Sequence, residues 1–261
     1  MIYAIIQARM GSTRLPGKVM MDLCGIPVIE HVVNRLEKSN LIDKIIIATS
    51  TDYNNQPIID FCKNNQIAYF VGNEDDVLDR YYKAAIDNNL KDDDIIIRIT
   101  SDCPLIDPFV VDKVIEEHIL NNNDYTTNVL DCTYPDGLDC EVFNFSALKD
   151  TWINANLSSQ REHVTLYIRD NPNRFKLGNV KNEIDLSDLR WTLDEKEDFI
   201  FINEVYKNLF RKDSFFTMED IVKLINDKPE LLEINSEFIR NEGLIKSLNE
   251  DVDLGCRDVN E

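Results

Sequence analysis

Three cations, Arg9, Arg14 and Lys18, crowd residues 7–18, QARMGSTRLPGK, and no acidic residue precedes Asp22. The run from Ala8 onward also carries Gly11 and Gly17, which can bring their amides close to an anion because no side chain intervenes. Ser12 and Thr13 add hydroxyl donors beside the fixed charges. Together these residue types describe a cradle for a polyphosphate. It is not a Walker A loop, because five residues separate Gly11 from Gly17 and Val19 follows the lysine where a hydroxyl should hold magnesium; G-x-G-x-x-G is absent as well. On composition alone the same stretch also reads as a solvated basic loop.

A nucleotide carrying magnesium needs oxygen ligands, commonly one or two carboxylates with phosphate oxygens and water. Asp102 follows the apolar run IIIRIT and Asp194 follows LRWTL, so both are expected to project from the sheet edge that carries the basic loop. Each has a structural reading too. Asp194 with Glu197 makes a D-x-x-E pattern suited to capping a helix, and Asp107 before Pro108 is a plausible cap. The run KDDD at 91–94 reads as a solvated turn. Alternation places Asp139 and Glu141 on one face of a strand, with Phe143 and Phe145 beyond, which suits a sugar pocket, a metal shell or a plain edge strand. His163 stands among Arg161, Glu162 and Thr165 and is placed either to exchange a proton near neutral pH or to serve as a hydrogen-bonded structural residue. His31 and His118 fall inside amphipathic helices.

The elements that must position these groups follow from periodicity. Short β-branched runs at 3–7, 44–48, 68–72 and 95–99 read as buried strands. Helical patterns lie between them, one opened by Pro27 with Val28, Val32, Val33 and Leu36 at helical spacing, others at 76–89 and 108–120. Strand and helix in alternation imply a parallel sheet covered on both faces. In such sheets ligands bind past the carboxyl ends of the strands, where strand order switches. After residue 121 the regularity gives way to NNNDYTTN, the turn signal YPDG, a strand at 141–145 and helices at 146–156 and 159–169. The pattern resumes with strands at 175–180 and 189–193 and a helix at 195–210. The expectation is one doubly wound domain over 1–212 with an inserted arm at about 121–180, and a helical extension over 213–261 packed on it.

Several of these stretches resemble one known family. The run IIQARMGSTRLPGKVMMDLCGIPVIEHV, followed in order by TSDCPLID, YPDGLDCEVF, REHVT and WTLDEKEDF, is similar to cytidylyltransferases that make CMP-sugars from acidic keto sugars. Within that group it looks most like the F-type proteins of spore coat polysaccharide synthesis, over roughly residues 2–200. The resemblance implies a Rossmann-like, three-layer α/β/α fold and a cytoplasmic, homodimeric enzyme. Its expected reaction is magnesium-dependent transfer of CMP from CTP to a hydroxyl of an acidic sugar, releasing pyrophosphate. It implies that Arg9, Arg14 and Lys18 hold the triphosphate, with Arg9, Lys18 and Asp102 acting in the chemistry. Asp102 and Asp194 would take magnesium, and Arg80 and Arg98 match positions near the nucleotide, with ordinary ion pairing on this acidic surface as their alternative; from the residue patterns above, Asp139, Glu141 and His163 are the candidates to meet the acceptor. Two positions depart from the family pattern: Ser101 replaces the glycine before the metal aspartate, and Gln7 replaces the proline before Ala-Arg. The rival reading is a glycosyltransferase consuming a nucleotide sugar, against which stands the lack of D-x-D, since Cys103 and Pro104 follow Asp102. A nucleotide-binding scaffold without turnover is a third.

Bulk numbers bound the choice. A formal charge of −20 over 261 residues repels nucleic acid and anionic membranes, so the basic loop must act locally. No apolar run approaches the roughly 20 residues of a membrane span. Six cysteines without a CxxC pair, in a chain with 43% hydrophobic residues, are expected to be free thiols.

Overall fold

A computed structural model describes residues 1–211, 215–238, 240 and 242–255. The first half runs β1 (Ile2–Gln7), the short strands β2 (Asp22–Leu23) and β3 (Ile26–Pro27), α1 (Val28–Leu36), β4 (Lys44–Ser50), α2 (Gln56–Asn64), β5 (Ala68–Gly72), α3 (Val77–Asp87), β6 (Ile95–Thr100) and α4 (Pro108–Asn121). There follow β7 (Tyr125–Thr127), β8 (Glu141–Asn144), α5 (Phe145–Asn154), α6 (Ser158–Glu162), α7 (Leu166–Asp170), β9 (Leu177–Asn179), α8 (Lys196–Leu209), α9 (Met218–Asp227) and α10 (Glu242–Asn249).

Seven strands form one sheet in the order β5-β4-β1-β6-β8-β7-β9. β1 pairs in parallel with β4 and β6, and β4 with β5, whereas β8 runs antiparallel to β6 and β7. The sheet is therefore largely parallel, as expected. Chain order reverses direction between β1 and β6, and the loops leaving those two strands flank the crevice where ligands bind in open α/β sheets.

β1 is apolar from Ile2 to Ile6 because both its faces are covered there. Ala4 and Ile6 meet Val32, Leu36, Ile58, Val111 and Ile115 of α1, α2 and α4, while Tyr3 and Ile5 meet Tyr81, Ala84, Leu148 and Ile168 of α3, α5 and α7. Each fully buried isoleucine contributes on the order of 1.5–3 kcal/mol relative to exposure. A third cluster joins Leu15 and Leu23 to Trp191, Leu193, Phe201 and Val205, and α9 adds Ile221 and Ile225 to it. α4 starts where Asp107 accepts hydrogen bonds from the amides of Phe109 (2.8 Å) and Val110 (3.4 Å), the cap expected of it.

Three sequence readings need correction. Residues 189–193 are not a strand of the sheet; the segment makes one bridge, Asp136 with Arg190, so its neighbour is the loop carrying the YPDG turn. Gly137 allows that contact, because at φ 103° a Cβ there would lie 2.6 Å from the Thr192 nitrogen. The helix read at 159–169 is two short helices, α6 and α7, broken where Val164 takes φ 54°. The KDDD turn is not wholly solvated, since Asp94 is buried, accepting from the Lys91 amide at 2.7 Å and pairing with the chain's amino terminus. The five described cysteines are free, and Cys256 lies outside the described residues. Among the described residues no helix is long and apolar enough to cross a membrane.

Candidate active site

A cleft of about 650 Å³ opens past the carboxyl ends of β1 and β6. Along β1 the residues Tyr3 and Ile5 face α3, so Gln7 at the strand's end falls on that same face, beside Thr100 in register. Arg98 and Glu141 share that face on β6 and β8, giving the cleft a polar floor. The loop leaving β1 forms its wall with Ala8, Arg9, Ser12, Thr13, Arg14 and Lys18. Gly11 is not among the lining residues. The loop is braced from within: the amides of Ser12 and Gly17 both donate to the Met10 carbonyl at 3.0 Å, and Gly17 turns the chain at φ 72°. Those two amides are consequently not turned to a ligand, contrary to the expectation for Gly17.

Lys18 is the hub. Its Nζ lies 2.6 Å from Asp102 Oδ2 and 2.7 Å from Asp194 Oδ1, so carboxylates 92 positions apart in the chain converge on one cation. Burial would lower the lysine's pKa, but the charges and hydrogen bonds of Asp102 and Asp194 outweigh it and hold the ammonium above its usual range. Asp102 shows the reciprocal effect, burial raising it and Lys18 more than compensating, so it stays below the usual carboxylate range. Arg14 reaches the same group, 3.0 Å from Asp194 and 3.2 Å from Glu195. The capping role considered for Asp194 belongs instead to Glu195 and Asp198: Asp198 accepts from the amides of Asp194 and Glu195, each at 2.9 Å, and stays fully buried. Arg190 ties this corner together, donating to Asp198 at 2.8 Å and lying 3.5 Å from Asp136.

The far end of the cleft is built on β8 and the α6–α7 break. Glu141 is saturated, accepting from Arg98, from the Thr165 hydroxyl and from Tyr125 at 2.6 Å. Burial would raise its pKa, yet Arg98 and these hydroxyls hold it low. His163 borders this end with Nε2 3.8 Å from Glu162, and burial followed by the Arg98 charge lowers its pKa, which favours the neutral ring near pH 7. Asp139 faces the cleft, one side-chain oxygen held by Arg240 at 2.5 Å. Arg80 also lines it, buried behind a hydrogen bond to the Asn73 carbonyl at 3.0 Å.

Five lining residues, Gln7, Arg80, Arg98, His163 and Arg169, each carry a buried polar atom without a hydrogen-bond partner. Unmet groups are rare in folded proteins, and their concentration in one cleft marks a surface arranged for a ligand. Most are donors, which suits an anionic one.

Sequence reasoning missed several residues of the cleft. Asp136 was hidden inside a turn signal, and Arg190 inside an apolar run. Glu242, Gly243 and Leu244 line the cleft from the start of α10, and Glu242 pairs with Arg14 at 2.9 Å. From there the chain crosses to α6, where Ser247 donates to Glu162 and Asp251 accepts from the hydroxyls of Ser158 and Ser159. No local pattern signals this strap, because its partners lie far away in sequence.

The two carboxylates fit magnesium in kind and convergence: hard oxygen donors already gathered around one positive charge. Among the described residues no group of three or more His, Cys, Asp or Glu side chains is arranged to hold a metal.

Residues 3–243 match the model of the family described as cytidylyltransferase. The spore coat polysaccharide biosynthesis protein SpsF of Bacillus subtilis is 34% identical over 236 residues, covering 88% of this chain and 95% of that one. A 3-deoxy-manno-octulosonate cytidylyltransferase of Lawsonia intracellularis is 32% identical over 119 residues, 45% of each chain. The solved structure of a cytidylyltransferase from Leptospira borgpetersenii superimposes with a TM-score of 0.83 at 30% identity, covering 92% of this chain and 99% of that one.

Proposed function

The chain belongs to the cytidylyltransferase family, and from that premise we propose that it uses magnesium to transfer CMP from CTP to a hydroxyl of an acidic sugar in polysaccharide synthesis. The observation that carries this reading is the convergence of Asp102 and Asp194 on Lys18 beside the arginines of the β1 loop. Arg9, Arg14 and Lys18 bind the triphosphate, with the Ser12 and Thr13 hydroxyls donating to its oxygens. Arg9 can do so, because its side chain is half-exposed and its one ion pair among the described residues is a loose 3.5 Å contact with Glu74. Arg80 and Arg98 carry unmet Nε–H groups on the nucleotide side of the floor.

Transfer of a phosphoryl-centred group gathers charge on the phosphate oxygens, so positioning and fixed charge supply most of the rate. Asp102 and Asp194 would hold magnesium, which when bound neutralises phosphate charge and orients the triphosphate. Lys18 remains the fixed cation between them. The acidic acceptor is supported by the polar atoms left unmet at the far end, Nε of Arg169 and Nε2 of His163.

The test is pyrophosphate release with CTP, UTP, ATP or GTP against a panel of sugar acids that includes 3-deoxy-manno-octulosonate. Turnover should require CTP, a sugar acid and magnesium, and Asp102→Asn should lose it. Full CTP turnover by Asp102→Asn in magnesium would overturn the metal assignment, and turnover of a nucleotide sugar without pyrophosphate would favour a glycosyltransferase.

A further inference from the structure

Resting on the reaction proposed above, we propose that Asp139 is the base that accepts the proton of the attacking acceptor hydroxyl. An attacking hydroxyl must lie beside the α-phosphate, and hence near Asp102 and Lys18. Asp139 lines the same cleft as both, and the loop that carries it packs at Gly137 against Thr192, whose hydroxyl lies 4.0 Å from Sγ of Cys103, the residue after Asp102.

The other carboxylates there are committed. Asp102 and Asp194 hold Lys18, Asp136 lies against Arg190 with only 12% of its side chain exposed, and both oxygens of Glu141 are taken by Arg98, Tyr125 and Thr165. Asp139 accepts one hydrogen bond among the described residues, from Arg240, and its side chain is 34% exposed against 7% for Glu141. His163 is the rival base, but it stands on the α6–α7 break with Nε2 3.8 Å from Glu162, away from the loop that packs on Thr192.

The groups facing Asp139 suit the task. Burial raises its carboxyl, Arg240 opposes, and the charges of Asp136 and Glu141 add to the rise, bringing it to about 7. The Cys103, Cys132 and Cys140 thiols within reach of its charge are each raised first by burial and so uncharged near pH 7. A carboxylate titrating near the working pH is an effective proton acceptor. In the step the acceptor O–H bond breaks, its electron pair forms the O–Pα bond, and the Pα–O bond to the β-phosphate breaks to release pyrophosphate. The proton passes to the free Asp139 oxygen and then to water.

The experiment measures pyrophosphate release against pH from 5.5 to 9, with saturating CTP and magnesium and 3-deoxy-manno-octulosonate or N-acetylneuraminate as acceptor (pH range chosen to bracket about 7). Wild type should rise through an ascending limb near pH 7. Asp139→Asn should lose that limb and roughly 10²–10⁴ of rate while binding CTP within about twofold of wild type, and Asp139→Glu should recover part of both. His163→Gln should keep the limb. Retention of the limb in Asp139→Asn, or its loss in His163→Gln with normal CTP binding, would overturn the assignment. If wild type releases no pyrophosphate with any sugar acid, the functional reading itself fails and this proposal falls with it.

Discussion

Replacing Lys18 by methionine keeps the stem and removes the charge, so its effect measures what the ammonium does for the two carboxylates. Asp102 and Asp194 both touch Nζ, at 2.6 and 2.7 Å, and their side chains are 24% and 23% exposed. Two like charges held about 5 Å apart repel by roughly 3 kcal/mol at an effective dielectric near 20. Their exposure and the contacts of Asp194 with Arg14 and Arg190 screen part of this, leaving an expected loss of about 1–3 kcal/mol, below the 3–5 kcal/mol typical when a fully buried pair is broken. For a chain of this size that is a fall in Tm of roughly 3–10 °C. Thermal melts in EDTA should show it. Millimolar magnesium should restore the variant more than it raises wild type, because a second cation can then take up the unneutralised carboxylates. The sign with pH is fixed by Asp102, whose folded pKa is depressed: the stability it confers is present above its unfolded pKa of about 3.9 and is lost as pH falls below it. The variant's deficit should therefore shrink in that acidic window. Pyrophosphate release should drop by about 10²–10³ even in magnesium. An unchanged Tm in EDTA, or a magnesium response no larger than wild type's, would refute the convergence argument.

Glu242→Gln removes an anion from Arg14 across an ion pair that is 36% and 67% exposed, so CTP should bind only about 1.5–5-fold tighter, the equivalent of roughly 0.2–1 kcal/mol. Calorimetry at low salt should show the gain and about 0.5 M salt should erase it; weaker binding at low salt would mean that Glu242 assists the nucleotide. Glu141→Leu strands the Arg98 guanidinium without its partner and should cost about 3–5 kcal/mol in urea unfolding, with Arg98→Met recovering much of it in the double variant. A loss under about 1 kcal/mol would mean that water already solvates the Arg98 guanidinium without Glu141.

The parallel half of the sheet was legible because strands covered on both faces read as apolar, β-branched-rich runs, as β1, β4 and β6 do, while the edge strand β5 shows as a short apolar run, AYFVG. Asp102 was legible for the same reason: it follows the end of such a run, at the edge where ligands bind. α2 left little trace, since QPIIDFCKN buries only Ile58, Phe61 and Cys62. LRWTL misled because its alternation mimics a strand, while the position of Arg190 is dictated by Asp136, Asp194 and Asp198, which no local period can express. The same holds for Arg240 and Glu242, whose partners Asp139 and Arg14 lie 101 and 228 positions away.

Arg240 and Glu242 sit two positions apart on the strap, one gripping Asp139 and the other Arg14. A phosphate at Arg14 competes with Glu242 for the same guanidinium, while Arg240 is anchored on Asp139 and on the Tyr134 carbonyl at 3.0 Å. The strap thus touches both substrates' ends of the cleft, and order of addition reads out whether it links them: a non-reactive sugar acid uncompetitive against CTP would mean that CTP must bind first, and a competitive or mixed pattern that the two ends act independently.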